Sequence, residues 1–113
     1  MTGFRVTRAG AILGVADFAA SLRFYRDQLG LEVLALYDDP PYATLTAAGA
    51  RISLAEQDHP APDRPGVVMS APADRSRASV VLVLEVDDAH AAHAELGDTG
   101  VPFLAEIHHP LYA

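Results

Sequence analysis

One stretch of the chain, residues 11–31 (AILGVADFAASLRFYRDQLGL), constrains the fold more than any other. It begins with a short apolar run that is typical of a strand. Asp17 follows at a position suited to a helix N-cap, because its carboxylate can accept hydrogen bonds from the free amides of a first turn. Apolar side chains then recur at helical spacing, at Phe18, Leu22, Tyr25 and Leu29. Gly30 stands where a left-handed C-cap is expected, so the stretch predicts a strand, a helix and a stop.

Three more strands are predicted after this helix, at residues 32–37, 42–47 and 51–56. The two prolines in residues 38–41 (DDPP) indicate a turn that ends the strand ladder. Ala48 and Gly49 indicate a second, tight turn. With a first strand at residues 9–15 and the helix at 18–29, this half of the chain predicts the order strand, helix, strand, strand, strand.

The second half repeats part of this order after a long connection. Residues 57–79 are rich in proline and charge and predict a polar connection, with a short strand at 67–69. An apolar strand is predicted at 80–86, then a helix at 89–96 with Asp88 as its N-cap. Gly97 and Gly100 are expected to end that helix, and a last strand is predicted at 101–107.

The two halves align as an internal repeat. Residues 13–17 (LGVAD) match 84–88 (LEVDD), and 30–35 (GLEVLA) match 100–105 (GVPFLA) after a slip of one residue. Two copies of one small unit are expected to pack together. The second copy includes a strand, a helix and one further strand, so it has fewer strands than the first. We therefore expect a homodimer, in which the partner chain covers the edge and the apolar face that the incomplete second copy leaves open.

Composition limits the classes of partner. The chain has no cysteine, which excludes disulfides and thiolate metal sites, and no apolar run long enough to span a membrane. A formal net charge of −7 argues against nucleic acid as a partner. The acidity either attracts cationic small molecules or serves solubility. We expect a cytoplasmic protein that does not bind membranes.

The motif V-x-D…S-L-x-F-Y-x-x-x-L-G-L carries a family resemblance. It comprises Val15, Asp17, Ser21, Leu22, Phe24, Tyr25, Leu29, Gly30 and Leu31. It resembles the vicinal oxygen chelate superfamily of glyoxalases, bleomycin-resistance proteins and dioxygenases, and the second copy is similar to that family's second module. The resemblance implies an α+β fold of paired βαβββ modules in a single domain over residues 1–113. The first module would span about 9–57, the connection 58–79, and the incomplete second module 80–113.

The resemblance also implies where a metal would be held. Family enzymes bind a divalent ion in a cup through His, Gln or Glu at the start of strand one and within strand four of each module. The matching positions are Gly10, Ser53 and Val81, and the fourth would lie in strands that the second copy lacks. None of these three side chains offers a carboxylate or imidazole donor. We therefore expect no metal and no cofactor.

Six residues are the candidates for binding a ligand. Tyr37 and Tyr42 flank the proline turn and could stack a planar molecule, or simply pack between strands. Ser53 would offer a hydroxyl to the cup if the family register holds. Glu85 interrupts the apolar strand and shares a face with Val81 and Val83, so it is either a carboxylate in the cup or an exposed strand end.

The last two candidates lie near the C-terminus. Phe103 could line the cup, although its alignment with Val33 favours the core. His108 or His109 could enter the cup, but only one of them, since neighbours on a strand point to opposite faces. A polar strand end or frayed tail is the favoured alternative for both. His90 and His93 are expected on a solvated helix face, and no function is assigned to His59.

The function that follows is a metal-free small-molecule binding protein of the bleomycin-resistance type. It would sequester a drug-like or metabolite ligand, cationic or planar, in an apolar cup, and could confer antibiotic resistance. The alternative is a metal-dependent lyase or dioxygenase with relocated ligands that include His108 or His109. The third hypothesis is a non-catalytic domain without a ligand of its own.

Overall fold

The computed structural model describes residues 3–61, 64–74 and 76–103. The chain divides into two compact units, Met1–Arg77 and Ala78–Ala113. The first unit holds a four-stranded sheet in the order β1–β4–β3–β2. Its strands are β1 (Gly10–Val15), β2 (Glu32–Asp38), β3 (Pro41–Ala47) and β4 (Ala50–Glu56). The predicted α+β fold and the strand–helix–strand–strand–strand order of the first module are confirmed.

The sheet is mixed in direction, as the chain order requires. β1 runs parallel to β4, whereas β2, β3 and β4 are successively antiparallel. The turn between β3 and β4 places Ala48 at φ 50° and Gly49 at φ 87°. Positive φ at both central residues is the geometry of a tight hairpin turn, and it fixes the register that pairs Thr44 with Ser53.

The proline turn is shorter than the sequence suggested. Only Asp39 and Pro40 lie between the strands, and the peptide bond joining them is cis. Pro41 is the first residue of β3 and lies opposite Asp38. The prediction that both prolines end the ladder is wrong for Pro41, because a proline lacking an amide is tolerated at the first residue of a strand.

Helix α1 (Phe18–Leu22) begins at Asp17, whose carboxylate accepts a hydrogen bond of 3.0 Å from the amide of Ala20. The chain continues as a π-helical segment, Arg23–Gln28, which the predicted uniform helix did not include. The wider turns are closed by bonds such as that from the amide of Leu29 to the carbonyl of Phe24, at 2.9 Å. Gly30 follows with φ +75°, as expected of a left-handed stop.

The core of this unit lies between α1 and one face of the sheet. Leu22, Ala43, Leu45 and Leu54 are its buried residues. Packed against them are Leu13, Val15, Phe18, Tyr25, Leu31 and Val33. The predicted helix stripe is therefore confirmed at Phe18, Leu22 and Tyr25, while Leu31 joins the core from just beyond the helix.

The connection contains a small hairpin, β5 (Pro60–Ala61) with β6 (Arg64–Val68), so the predicted short strand lies slightly earlier in the chain.

In the second unit, α2 (Ala89–Asp98) begins at Asp88, whose carboxylate accepts a 3.0 Å hydrogen bond from the amide of Ala91. Gly97 lies inside α2 rather than ending it, whereas Gly100 has φ +89°. No helix within the described residues is long and apolar enough to cross a membrane.

The strand predicted at residues 80–86 is wrong. These residues adopt no regular structure, and the side chains of Val81 and Val83 are 75% and 78% exposed. A continuous apolar strand needs hydrogen-bonded neighbours and cover on both faces, and exposure of this extent shows that the run has no such cover. Residues 101–103 also form no strand, and the remainder of the strand predicted at 101–107 lies outside the described residues.

Candidate functional site

The face of the first unit's sheet that points away from α1, which we call the far face, holds three of the six predicted site residues, Tyr37, Tyr42 and Ser53. Side chains alternate along a strand, so the residues between the core positions project from the far face. The register arranges them in cross-strand rows. One row runs Gly14, Ala55, Tyr42, Tyr37, the next runs Ile12, Ser53, Thr44, Ala35, and the third runs Gly10, Arg51, Thr46, Glu32.

Tyr37 and Tyr42 form an aromatic pair at one end of the first row. They lie directly opposite each other on β2 and β3, and their ring centroids are 6.3 Å apart with the planes inclined by 50°. Tyr37 is 59% exposed, so much of its ring is accessible. The pair offers a flat apolar surface with hydroxyl groups at its rim, which suits a planar ligand.

Ser53 and Thr44 form a hydroxyl pair in the centre of the far face. Their oxygen atoms are 2.9 Å apart and share one hydrogen bond. Ser53 is only 7% exposed, and among the described residues it is the buried polar one. Each hydroxyl keeps further capacity to donate or accept, so the pair can bind a polar atom of a ligand. Thr44 was missed in the sequence, although strand parity with Tyr42 could have identified it.

Gly10 and Ser53, which the family resemblance places at metal-binding positions, do not fit a metal. Gly10 has no donor, and a Cβ there would lie 2.7 Å from the carbonyl oxygen of Arg51, so the close approach of β1 to β4 favours glycine. The hydroxyl of Ser53 is engaged with Thr44, and a neutral hydroxyl is a poor donor for a divalent ion. In residues 3–61, 64–74 and 76–103, no three His, Asp or Glu side chains converge as a metal site would require.

Glu85 and Phe103 lie in the second unit and not on the strands of the far face. Glu85 lies in the irregular run at 80–86, so the parity argument that placed it with Val81 and Val83 no longer applies. Phe103 is 42% exposed rather than core, and its ring stacks on His93 of α2 with centroids 4.1 Å apart. His93 is accordingly half-buried, unlike the solvated position expected of it. His108 and His109 lie outside the described residues.

Two charged side chains, Arg51 and Glu32, lie in the third row of the far face. His59, at the end of β4, contacts Glu56 through its Nε2 atom at 3.1 Å from Oε1. Burial raises the pKa of Tyr25, whose ring packs against the core on the side of α1. The first two rows of the far face, which hold the tyrosine pair and the hydroxyl pair, carry no charged side chain.

The comparisons with known proteins agree with this fold. The family model described as Glyoxalase/Bleomycin resistance protein/Dioxygenase superfamily matches residues 6–113. The chain therefore belongs to that superfamily. No curated protein sequence matches the chain.

Solved structures are similar to the chain over most of its length. An integron cassette protein from V. cholerae matches with a TM-score of 0.67 at 18% identity, covering 94% of this chain and 77% of its own. A glyoxalase/bleomycin resistance protein/dioxygenase from Nocardioides matches with a TM-score of 0.67 at 22% identity, covering 92% and 68%. A glyoxalase/bleomycin resistance protein from a Streptomyces species matches with a TM-score of 0.54 at 25% identity, covering 85% and 76%. At such identities these likenesses support the fold.

Proposed function

We propose that this protein is a metal-free small-molecule binding protein of the bleomycin-resistance type, which sequesters a drug-like or metabolite ligand against the far face. The observation that carries the proposal is the chemistry of that face. It presents the Tyr37–Tyr42 pair beside the Ser53–Thr44 pair, and it has glycine where the family places its first metal ligand. Aromatic rings and neutral hydroxyl groups bind organic ligands well and divalent metals poorly.

The charge of the chain favours a cationic, planar ligand. The formal net charge is −7, which raises the local concentration of cations near the surface. Asp38 and Asp39 follow Tyr37 directly and are exposed at the end of β2. A planar cation could therefore stack on the tyrosine pair while its charge lies near these carboxylates.

Alanine variants on the far face test the proposal. The protein is titrated with proflavine, a planar cationic dye, and binding is followed by fluorescence. Tyr37→Ala and Tyr42→Ala should each weaken binding about two- to tenfold, because an aromatic contact contributes about 0.5–1.5 kcal/mol. Ser53→Ala, the variant of the third candidate on the far face, is titrated alongside.

Leu36→Ala is the matched control, since Leu36 neighbours Tyr37 on β2 but lies opposite Ala43, on the side of the sheet that faces α1. Its affinity for the dye should equal that of the unsubstituted protein, and thermal unfolding should show that every variant folds. Equal affinity in Tyr37→Ala, Tyr42→Ala and Ser53→Ala would remove the proposed site.

A further inference from the structure

A short segment of the connection, residues 69–71, lies against the far face and we call it the strap. An ideal Cβ built on Gly14 would be 2.6 Å from the carbonyl oxygen of Ser70 and 2.9 Å from its backbone nitrogen and carbonyl carbon. No side chain larger than hydrogen can occupy position 14 unless the strap moves. Backbone therefore packs directly on backbone at this point of β1.

The strap is held in place by two hydrogen bonds with residues that follow β4, one donated to the strap and one donated by it. The amide of Asp58 donates to the carbonyl of Met69 at 3.0 Å. The amide of Ala71 donates to the side-chain oxygen Oε1 of Gln57 at 3.1 Å. Gln57 is itself fixed, because its own amide donates to the carbonyl of Val15 at 2.8 Å. The position of the strap is thus tied to the ends of β1 and β4.

The strap and the tyrosine pair lie over the same row of the sheet. Leu13 and Val15 pack into the core beneath α1, so position 14 projects from the far face. In that row Gly14 is paired with Ala55, and Ala55 with Tyr42. β1 and β3 are two strand spacings apart, which is roughly 9–10 Å. The small Ala55 side chain therefore lies between Gly14, which the strap covers, and Tyr42.

The strand spacing of roughly 9–10 Å between β1 and β3 is wide enough for one flat ring. Two van der Waals contacts of about 3.5–4.0 Å, one on each face of a ring, need about 7–8 Å between the walls. We propose that the strap forms the second wall of the ligand site, that Gly14 is a specificity-determining residue, and that Gln57 is a positioning residue acting through the amide of Ala71. This inference rests on the proposed function, and it predicts that the ligand inserts one planar ring system between the strap and Tyr42.

Four variants test the strap in the full chain. Gly14→Ala places a methyl group against Ser70, and Gln57→Leu removes the acceptor of the Ala71 amide. Gln57→Glu keeps an acceptor oxygen and should behave like the unsubstituted protein. Gly66→Ala, in β6 of the same connection, is the control, because a Cβ there meets nothing within 4 Å. Gln57→Leu keeps the proposal testable if Gly14→Ala does not fold.

Hydrogen exchange and proflavine binding are measured on each variant. Gly14→Ala and Gln57→Leu should speed exchange at the amides of Asp58 and Ala71 and weaken proflavine binding about two- to tenfold, the range expected for one lost hydrogen bond. Gln57→Glu and Gly66→Ala should change neither. Tyr42→Ala is the positive control for binding.

The outcomes separate the strap from the proposed function. Suppose that Gly14→Ala and Gln57→Leu exchange faster but bind proflavine with unchanged affinity, while Tyr42→Ala still weakens binding. This result would contradict the role of the strap as a wall of the site, but not the proposed binding function. Unchanged exchange in both Gly14→Ala and Gln57→Leu would overturn the anchoring of the strap. No proflavine binding by the unsubstituted protein would count against the proposed function and against the wall that rests on it.

Discussion

Leu22 is the residue of α1 that packs most deeply against the sheet, with 8% of its surface exposed. Truncating a buried leucine removes its transfer free energy and leaves a cavity, so Leu22→Ala should lower the free energy of unfolding by about 2–5 kcal/mol. Urea denaturation followed by circular dichroism measures the change. Arg23→Ala is the control, because Arg23 is exposed and should change stability by less than about 0.5 kcal/mol. A change that small in Leu22→Ala would show that this face of the helix is not core.

Tyr25 gives the fold a dependence on alkaline pH. Burial raises the pKa of its phenol above the ordinary value of about 10 that applies to the unfolded chain. The folded state therefore holds this proton more tightly, and stability is full below pH of about 10 and is lost as the pH rises through the folded-state pKa. Between pH 9 and pH 11, the free energy of unfolding should fall less for Tyr25→Phe than for the unsubstituted protein. Equal alkaline loss in both would contradict the burial of this phenol.

At the scale of single elements, the aspartate caps support both helices in the same way. Asp17 and Asp88 each accept a hydrogen bond of 3.0 Å from the amide three residues later. Asp17→Ala should lower the free energy of unfolding by about 0.5–2 kcal/mol, because it leaves a first-turn amide without its acceptor. Asp17→Asn retains an acceptor and should restore most of the stability in thermal unfolding. Equal losses in the two variants would mean that charge, and not the cap hydrogen bond, is what Asp17 contributes.

The sequence predicts those elements whose determinants are local. The caps at Asp17 and Asp88, the alternation of β3 and β4, and the turn at Ala48 and Gly49 are all set by residues near in sequence. The same alternation along β4 places the side chain of Ser53 on the face of the sheet opposite the core. Family motifs then order these elements into a module.

Elements that depend on distant contacts escape sequence analysis. The run 80–86 has the composition of a strand, but a strand also needs neighbours, and composition does not supply them. The π-helical turns at Arg23–Gln28 follow the same apolar spacing as an α-helix, so periodicity does not distinguish them. The strap leaves no signal at all, since Gly14 appears only as a small residue in an apolar strand.

At the scale of the whole molecule, we propose that the chain is a homodimer. In the described part of the second unit, Val80, Val81, Val83, Leu84 and Val86 are all 47–78% exposed. A contiguous apolar run of this kind marks an association surface in a soluble protein. Light scattering at low micromolar concentration should give twice the chain mass of 12.0 kDa.

Charge substitution in this run tests the dimer. Val81→Asp should give the mass of one chain, while Ala78→Asp, just outside the run, should keep the dimer. A folded unsubstituted protein with the mass of one chain would contradict the proposal.

The most direct test of the central claim, a far face that binds a planar ligand without metal, is thermal unfolding of chelator-treated protein with and without proflavine. The metal content is measured on the same sample. A ligand present at about 100 times its Kd stabilises the folded state by about 2.7 kcal/mol, so the melting temperature should rise by several degrees. The account predicts that this rise is the same before and after chelation and that Tyr42→Ala reduces it. A rise that disappears on chelation and returns with stoichiometric zinc, nickel, manganese or iron would contradict it.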